Sequence, residues 1–323
     1  MKPKVAFYWC ASCGGCEEAV VDLAEKVLDV TAAVDIVFWP VALDFKRKDV
    51  EAMPDGSIAA AFINGAIRTS EQEEMAHLLR RKAQVVIAFG ACAQTGGVPG
   101  LANLYDRASV LAAAYRESPS TANAEGVLPQ THYPVNGEAL ELPVFHERVR
   151  ALEQVIPVDY SIPGCPPTPK LLADAVAALL TGRLPERGAV LAPDKALCEE
   201  CPRRDSKPEK LAIQQFKRPH EALIETDTCL LAQGLLCLGP ATRGGCEARC
   251  IQGNMPCTGC FGATSRVRDF GAKALSAIAS LTGSNDEAEI LRILENIPDP
   301  AGTFYRYSLP VAPLPARRAP AAQ

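Results

Sequence analysis

The segment Val5-Ala6-Phe7-Tyr8-Trp9 is a short apolar run, and Cys10-Ala11-Ser12-Cys13-Gly14-Gly15-Cys16-Glu17 follows it directly. An apolar run of this length predicts a buried strand. Between residues 17 and 28 the apolar side chains recur on one helical face, which predicts a helix after the cysteines. A strand, a cysteine-rich loop and a helix in this order predict the first unit of an α/β sheet.

The same alternation continues as far as Gly182. Further strands are predicted over residues 34–38, 58–63 and 85–89, with a weaker one over residues 155–162. A capping box from Ser70 to Glu73 predicts the start of one helix, and Thr168-Pro169 predicts the start of another. Strands that alternate with helices predict a mostly parallel, doubly wound sheet.

The rest of the chain shows a different pattern. Residues 118–142 are rich in Ser, Thr, Asn, Pro and Gly, and they predict a surface insertion. Residues 188–194 predict a linker, after which few strands are predicted and cysteines recur every few residues. Two helices are predicted over residues 270–281 and 286–296, and residues 301–323 predict an extended tail rich in Pro and Ala.

Composition excludes several classes of protein. The chain has 323 residues, 48% of them hydrophobic and 22% charged, so it can form a core. A net charge of -5 argues against a nucleic-acid-binding protein, and 6% aromatic residues argue against base-stacking surfaces. No signal peptide and no membrane span are predicted, so a cytoplasmic location is expected. In that compartment 13 cysteines indicate metal binding or redox chemistry rather than disulfides.

Four cysteines of the first half follow predicted strands: Cys13, Cys16, Cys92 and Cys165. The carboxyl ends of parallel strands form the edge where α/β sheets bind ligands. Flexible Gly14, Gly15 and Gly90 beside them let the backbone approach a bulky group. One Cys-x2-Cys pair with two distant single cysteines can enclose a four-iron cluster. Structural zinc and buried thiols are the alternatives, and Cys10 is interpreted as a buried thiol or a neighbour that is not a ligand.

Eight cysteines of the second half form two sets of four in the simplest grouping. One set is Cys198, Cys201, Cys229 and Cys237, and the other is Cys246, Cys250, Cys257 and Cys260. Spacing alone leaves zinc and iron–sulfur equally open for either set. Charged residues from Arg203 to Lys210 predict a solvated loop. Three four-cysteine sites in one chain favour electron transfer, since one structural metal is enough to stabilise a small domain.

Five sequence elements surround the grouped cysteines. They are Cys13-Gly14-Gly15-Cys16-Glu17, Gly90-Ala91-Cys92-Ala93, Pro163-Gly164-Cys165-Pro166-Pro167, the segment from Cys229 to Cys237-Leu238-Gly239-Pro240, and Cys246 followed by Pro256-Cys257-Thr258-Gly259-Cys260. Together these five elements resemble the small subunit of [NiFe] hydrogenases. The similarity covers roughly residues 4–262. Cys198 stands where the family often has His, and Cys250 stands where many members have Pro, so three [4Fe-4S] clusters are implied. The two-residue spacer Gly14-Gly15 lacks the extra cysteines of some oxygen-tolerant members.

The resemblance implies a flavodoxin-like domain over residues 1–187, a mostly irregular and helical two-cluster domain over 188–300 and a tail over 301–323. It implies a proximal cluster on Cys13, Cys16, Cys92 and Cys165, with Gly14, Gly15 and Gly90 offering backbone N–H groups. It further implies a medial cluster on Cys246, Cys250, Cys257 and Cys260 and a distal cluster on Cys198, Cys201, Cys229 and Cys237. The absence of a membrane anchor resembles the soluble cytoplasmic type.

The implied partner is a hydrogenase large subunit that carries the nickel–iron centre, together with further redox subunits or a soluble electron acceptor. Glu17 and Glu18 are interpreted as ordinary acidic residues at a helix N-terminus. Two alternatives are the cluster-bearing subunit of a respiratory NADH:quinone oxidoreductase, which resembles only the first half, and a zinc-stapled binding protein.

Overall fold

The structure, a computed structural model, describes residues 2–313 of the chain. In chain order its first part contains β1 (Lys4–Trp9), α1 (Gly15–Val21), α2 (Lys26–Ala33), β2 (Asp35–Phe38), α3 (Arg47–Glu51), β3 (Ile58–Asn64), β4 (Ile67–Thr69), α4 (Ser70–Lys82), β5 (Ala83–Phe89), α5 (Ala91–Thr95), α6 (Arg107–Ala112), β6 (His132–Val135), β7 (Glu138–Glu141), β8 (Phe145–Arg150), β9 (Tyr160–Ile162) and α7 (Pro169–Leu180). Its second part contains α8 (Arg249–Gln252), α9 (Phe270–Ala279), α10 (Glu287–Leu294) and α11 (Pro300–Phe304).

The central sheet has five strands in the order β2-β1-β3-β5-β9, and every neighbouring pair is parallel. Successive side chains of each strand point to opposite faces. Val5 and Phe7 therefore pack in one core with residues of α1 and α7, whereas Ala6 packs in the other core with residues of α4. The predicted doubly wound, flavodoxin-like α/β sheet is confirmed.

The predicted helix over residues 17–28 is broken in two. Helix α1 ends at Val21 and α2 begins at Lys26. Between them Ala24 adopts a left-handed conformation with φ of 52°, which interrupts the helical hydrogen bonding.

The capping box of α4 lies one residue before its predicted position. Thr69 is the N-cap, and its hydroxyl accepts the N–H of Gln72 at 3.4 Å. Gln72 completes the box, since its Oε1 accepts the N–H of Thr69 at 3.1 Å, and the Glu73 carboxylate instead accepts two hydrogen bonds from Arg150, at 2.6 and 3.1 Å. By contrast the predicted cap of α7 is present, since Thr168 accepts the N–H of Leu171 at 3.3 Å.

Short strands differ most from the sequence prediction. The last sheet strand is only β9, shorter than the predicted 155–162, because residues 155 and 156 form a turn and Pro157 has no N–H for the ladder. The antiparallel pairs β4–β8 and β6–β7 were not predicted. The second pair lies within the predicted surface insertion, whose strands are exposed at every position.

Residues beyond 187 continue along the sheet before the second core begins. Val190 forms a parallel bridge with Ser161, and the N–H of Leu191 donates to the Ser161 carbonyl at 2.8 Å. The segment predicted as a linker therefore runs beside β9. The division between domains at residues 187 and 188 stays a prediction, while α9 and α10 agree with the two predicted C-terminal helices.

The prediction of an extended tail from residue 301 is wrong for residues 301–313, the part of the tail that the structure describes. Helix α11 packs against α9 of the second part, and the 3-10 turn at Leu309–Val311 folds back onto the first half. A Cβ on Gly96 would come within 2.2 Å of Cγ of Pro310, and one on Gly100 within 2.5 Å, so the proline ring sits directly on this glycine-lined surface. Residues 314–323 of the predicted tail lie outside the described residues. Within the described residues no helix is both long enough and apolar enough to span a membrane.

Candidate metal centres

The first set of cysteines lies at one edge of the sheet, as predicted. Cys13 and Cys16 follow β1, Cys92 follows β5 within α5, and Cys165 follows β9. Gly14 is the N-cap of α1 with φ of 86°, a conformation that favours glycine. The side chains of Cys16 and Cys92 are buried, and those of Cys13 and Cys165 are exposed.

The thiols of the first set influence one another's ionisation. Burial raises the pKa of Cys16, and the nearby Cys92, Cys165 and Cys13 thiols raise it further. Burial likewise raises the pKa of Cys92 to about 12, with contributions from Cys165 and Cys13. Such effects require the four thiols to lie close together, so the structure brings this predicted set into one place. Burial alone raises the pKa of Cys10, which belongs to the core beneath the sheet.

Two glycines, which have no side chain, leave room around the sulfur atoms of Cys16 and Cys92. A Cβ on Gly90 would come within 2.3 Å of Sγ of Cys16, and one on Gly97 within 2.5 Å of Sγ of Cys92. Both glycines have positive φ, at 85° and 55°. Steric crowding by Sγ of Cys16 thus explains why glycine stands at position 90, one of the positions singled out from the sequence. Gly97 was not identified from the sequence. Whether Gly14, Gly15 and Gly90 donate N–H groups to a cluster stays a prediction.

A buried hydrogen-bond network holds the loop that carries Cys13 and Cys16. Glu17 is only 4% exposed, and its carboxylate accepts hydrogen bonds from Nε1 of Trp39 and from Nδ2 of Asn64. The Oδ1 of Asn64 accepts the Ser12 hydroxyl at 2.8 Å. The sequence suggested that Glu17 is an ordinary acidic residue at a helix N-terminus, but the structure shows that it is the buried centre of this network. Asn64 and Trp39 were not predicted, because they are distant from Glu17 in the chain.

The second set comprises Cys198, Cys201, Cys229 and Cys237. Burial raises the pKa of Cys198 to about 12, with Cys237, Cys201 and Cys229 raising it further and Lys207 opposing them. Three of these cysteines are partly exposed and Cys237 is buried. The Ser206 hydroxyl accepts the N–H of Cys229 at 2.7 Å, which ties two of the contributing loops together.

The third set comprises Cys246, Cys250, Cys257 and Cys260. Burial raises the pKa of Cys260 to about 12; the backbone of Cys165 opposes this by hydrogen bonding, and Cys246 and Cys250 add to it. Cys257 is buried, and after burial itself the strongest influence raising its pKa is Cys237 of the second set. Cys250 lies in α8 and is exposed. Cys246 and Cys250 therefore lie near Cys260, whereas Cys257 lies near both Cys237 and Cys260, and the division of these eight cysteines into two sets stays a prediction.

Loops of the second and third sets are also joined by a carboxylate. Oε1 of Glu200, beside Cys201, accepts the N–H groups of Gly245 and Glu247 at 2.7 and 3.0 Å. These two residues flank Cys246. The sequence offered no signal for this contact beyond the position of Glu200 next to a cysteine.

One residue of the predicted solvated loop is buried. Arg203 is 5% exposed, and its guanidinium donates to the carbonyls of Glu225 and Ile251 at 3.1 and 3.0 Å and to Oδ1 of Asn254 at 2.8 Å. The prediction of a solvated loop is wrong for Arg203, because five N–H donors can be satisfied by a ring of carbonyl groups. The other charged residues of the loop, from Arg204 to Lys210, are exposed as predicted.

Comparison with known proteins identifies the family. A family model described as NADH ubiquinone oxidoreductase, 20 Kd subunit, matches residues 13–179, which contain the first set and neither of the others. The iron-sulfur subunit of the F420-non-reducing hydrogenase of Archaeoglobus profundus is 42% identical over 318 residues, covering 97% of this chain and 98% of that protein. The chain therefore belongs to the family that the model describes, and it is related over nearly its whole length to this hydrogenase subunit.

Other relatives extend the same result. The matching subunit of the F420-non-reducing hydrogenase of Methanothermobacter thermautotrophicus is 40% identical over 319 residues, covering 98% of this chain and 97% of that protein. Among solved structures, the oxidized [NiFeSe] hydrogenase of Desulfovibrio vulgaris Hildenborough matches with a TM-score of 0.51 at 18% identity, covering 81% of this chain and 93% of that chain. That structure shares the fold, and these relatives match the chain along nearly its whole length.

The thiol sets of this chain fit iron–sulfur clusters chemically. Each set offers four thiols, and thiolates are the usual ligands of such clusters. Burial raises the pKa of the more enclosed thiols, such as Cys16, Cys92, Cys198 and Cys260, which favours their protonated form in the absence of a cation. Ligation to a cation deprotonates a thiol. Residues 2–313 contain no group of three or more His, Cys, Asp or Glu side chains arranged to hold a single metal ion. The grouping therefore depends on the mutual influence of the thiols and on the space beside Gly90 and Gly97.

Proposed function

We propose that this chain is the electron-transfer small subunit of a [NiFe] hydrogenase. It would carry electrons between the nickel–iron site of a large subunit, where H2 is interconverted with two protons and two electrons, and an external acceptor. Its twelve grouped cysteines would hold three [4Fe-4S] clusters, which supply one-electron carriers when bound.

The observation that carries the proposal is a chain of neighbouring cysteines that connects the three sets in series. Cys165, in the first set, lies close enough to Cys260, in the third set, for its backbone to lower the pKa of the Cys260 thiol against the effect of burial. The N–H of Cys257, in the third set, donates to Sγ of Cys237 in the second set at 3.4 Å. These contacts support an order from proximal to medial to distal, the same order that the family resemblance implies.

Exposure indicates where a large subunit would bind. Cys13 and Cys165 of the first set are exposed, Trp9 is 40% exposed and Val98 is 46% exposed. Exposed apolar side chains around a buried metal centre are typical of an interface. We place the large subunit, with the nickel–iron centre, on the loops at residues 9–17, 90–97 and 163–167. The names of the relatives, which are hydrogenase subunits, support this partner.

The distal set would deliver electrons to the acceptor. Three of its cysteines are partly exposed, and the neighbouring segment from Arg204 to Lys210 is exposed and charged. A further redox subunit or a soluble acceptor would bind there. We also assign the complex to the cytoplasm, in line with the cysteine-rich composition.

Metal analysis tests the proposal directly. The complex, purified without oxygen, should contain about 12 Fe per copy of this chain in addition to the iron of its partner subunits, with sulfide matching those 12 Fe, and should be brown. Cys92→Ser should lose about 4 Fe, whereas Cys10→Ser, also a buried thiol near the first loop, should lose none. About 8 Fe would contradict three four-iron clusters, and stoichiometric zinc without sulfide would support the zinc-stapled alternative.

A further inference from the structure

Thr242 lies between the distal and medial sets. It is 1% exposed. Its backbone belongs to the distal side: its N–H donates to the carbonyl of Leu238, next to Cys237, at 3.1 Å, and its carbonyl accepts the N–H of Leu197, next to Cys198, at 2.8 Å. The backbone of Thr242 is therefore anchored by residues that adjoin two distal cysteines.

The side chain of Thr242 reaches the other set. Its Oγ1 lies 3.5 Å from Sγ of Cys257, with the thiol as donor. The hydroxyl itself donates to the Leu238 carbonyl at 2.7 Å. A hydroxyl has a single hydrogen but two acceptor lone pairs, so both contacts are satisfied while Cys257 is protonated.

Ligation of Cys257 as a thiolate changes this balance. A thiolate has no hydrogen to give, and without a donor its contact with Oγ1 would place two lone pairs face to face. Rotation of the hydroxyl gives its hydrogen to the thiolate instead of to the neutral carbonyl. A hydrogen bond to an ionised acceptor is the stronger of the two. No proton is transferred, since the hydrogen stays bonded to oxygen.

We propose that the Thr242 hydroxyl donates to the Cys257 thiolate and raises the reduction potential of the medial centre. This inference rests on the proposed function. Hydrogen bonds to cluster sulfur atoms tune the potential because they stabilise the reduced state, which carries one more negative charge, more than the oxidised state. Thr242 is thus a positioning residue of the relay that acts through a medial ligand.

The hydrogen bond between the Thr242 hydroxyl and Sγ of Cys257 is made by a side chain, so a substitution can remove it. In the part of the chain that the structure describes, the other hydrogen-bonding groups that lower the pKa of a grouped thiol with a shifted pKa are backbone groups. These belong to Val98, Cys165, Gly239, Ala248, Arg249, Cys257 and Gly259. A side-chain substitution at Thr242 therefore alters the medial set through one atom and leaves the backbone donors in place.

The test is an anaerobic redox titration of the purified complex followed by EPR. Thr242→Ser keeps the hydroxyl, Thr242→Ala removes it, and both lack the methyl group, so this pair isolates the hydrogen bond. We expect a lower medial midpoint potential in Thr242→Ala than in Thr242→Ser, with the distal potential unchanged. Thr242→Val, which keeps the shape of threonine, should shift the medial potential in the same direction. The medial signal is identified by its alteration in Cys250→Pro.

Two outcomes would overturn the inference. One is equal medial potentials in the Ser and Ala variants, and the other is an equal shift of all centres in Thr242→Ala. If Thr242→Val does not assemble, the Ser and Ala variants still decide the question. Absence of iron from the unmodified complex would instead contradict the proposed function, which makes the two failures distinguishable.

Discussion

The backbone carbonyl of Tyr307 accepts a hydrogen bond from Oγ1 of Thr95 at 2.6 Å. The same carbonyl accepts the N–H of Gly97 at 3.1 Å, and the Tyr307 hydroxyl lies 3.1 Å from that of Thr258. Thr95 and Gly97 follow Cys92 of the proximal set, and Thr258 lies between Cys257 and Cys260 of the medial set. The C-terminal segment therefore connects two proposed cluster sites that belong to opposite halves of the chain.

Gly96→Ala should weaken this connection. The new Cβ would lie 2.2 Å from Cγ of Pro310 and would require the C-terminal turn to move. Gly182→Ala is the control, since Gly182 also has positive φ, at 66°, but no atom lies within 4 Å of the added Cβ. We expect a backbone cost of about 1–2 kcal/mol for both, and about 1–3 kcal/mol more for Gly96→Ala. Thermal unfolding of the complex measures this difference, and equal midpoints would show that Pro310 yields freely.

Asn64→Ala should destabilise the proximal loop. The substitution removes the donor 2.5 Å from Oε1 of Glu17 and leaves a buried carboxylate with one fewer partner. We expect a loss of about 1–3 kcal/mol and a lower iron content. Asn103→Ala is matched, because Asn103 makes two hydrogen bonds to the backbone of Val149, at 2.9 and 2.8 Å. That control should lower stability without losing iron; iron loss in both variants would refute a specific role for Asn64.

Cys250→Pro should convert the medial centre to a three-iron form. Cys250 is exposed in α8 while Cys257 is buried, so it is the ligand that can be lost with least disturbance of the core. We expect about one Fe fewer per chain and a new EPR signal in the oxidised state. Cys10→Ala, a change of a buried thiol outside all three sets, should leave the spectrum as it is. An unchanged spectrum of Cys250→Pro would remove Cys250 from the ligand set.

Val98→Arg should impair binding of the large subunit. Val98 is 46% exposed beside the Cys92 loop, and a charge there would remain without a partner in a dry interface. Leu180→Arg is the control. Leu180 is 40% exposed at the C-terminal end of α7, the end that is far from the sheet edge where the first cysteine set lies. We expect at least about tenfold less large subunit to co-purify with Val98→Arg, equivalent to ~1.4 kcal/mol. Equal yields from both variants would mean that another face binds the partner.

Local sequence was sufficient for the sheet and for the position of the first cysteine set at its edge. Strands buried on both faces are continuous apolar runs, so β1, β3 and β5 were predictable. Cysteines that follow such strands meet at one edge for topological reasons, which made the proximal set predictable from the chain alone. The short pairs β4–β8 and β6–β7 have no comparable signal, because they are brief and the second pair is exposed on both faces.

Contacts between distant segments were decided only by the tertiary structure. Glu17 meets Asn64 across 47 positions, and Thr242 meets Cys257 across 15. Neither contact lies within one helix or hairpin, so no periodicity in the chain reports it. The sequence by itself determined which residue types can ligate metal and at which strand ends they stand. The folded chain decided which hydroxyl, carboxylate and backbone groups face those sulfur atoms, because hydrogen bonds act over a few ångströms whatever the separation along the chain.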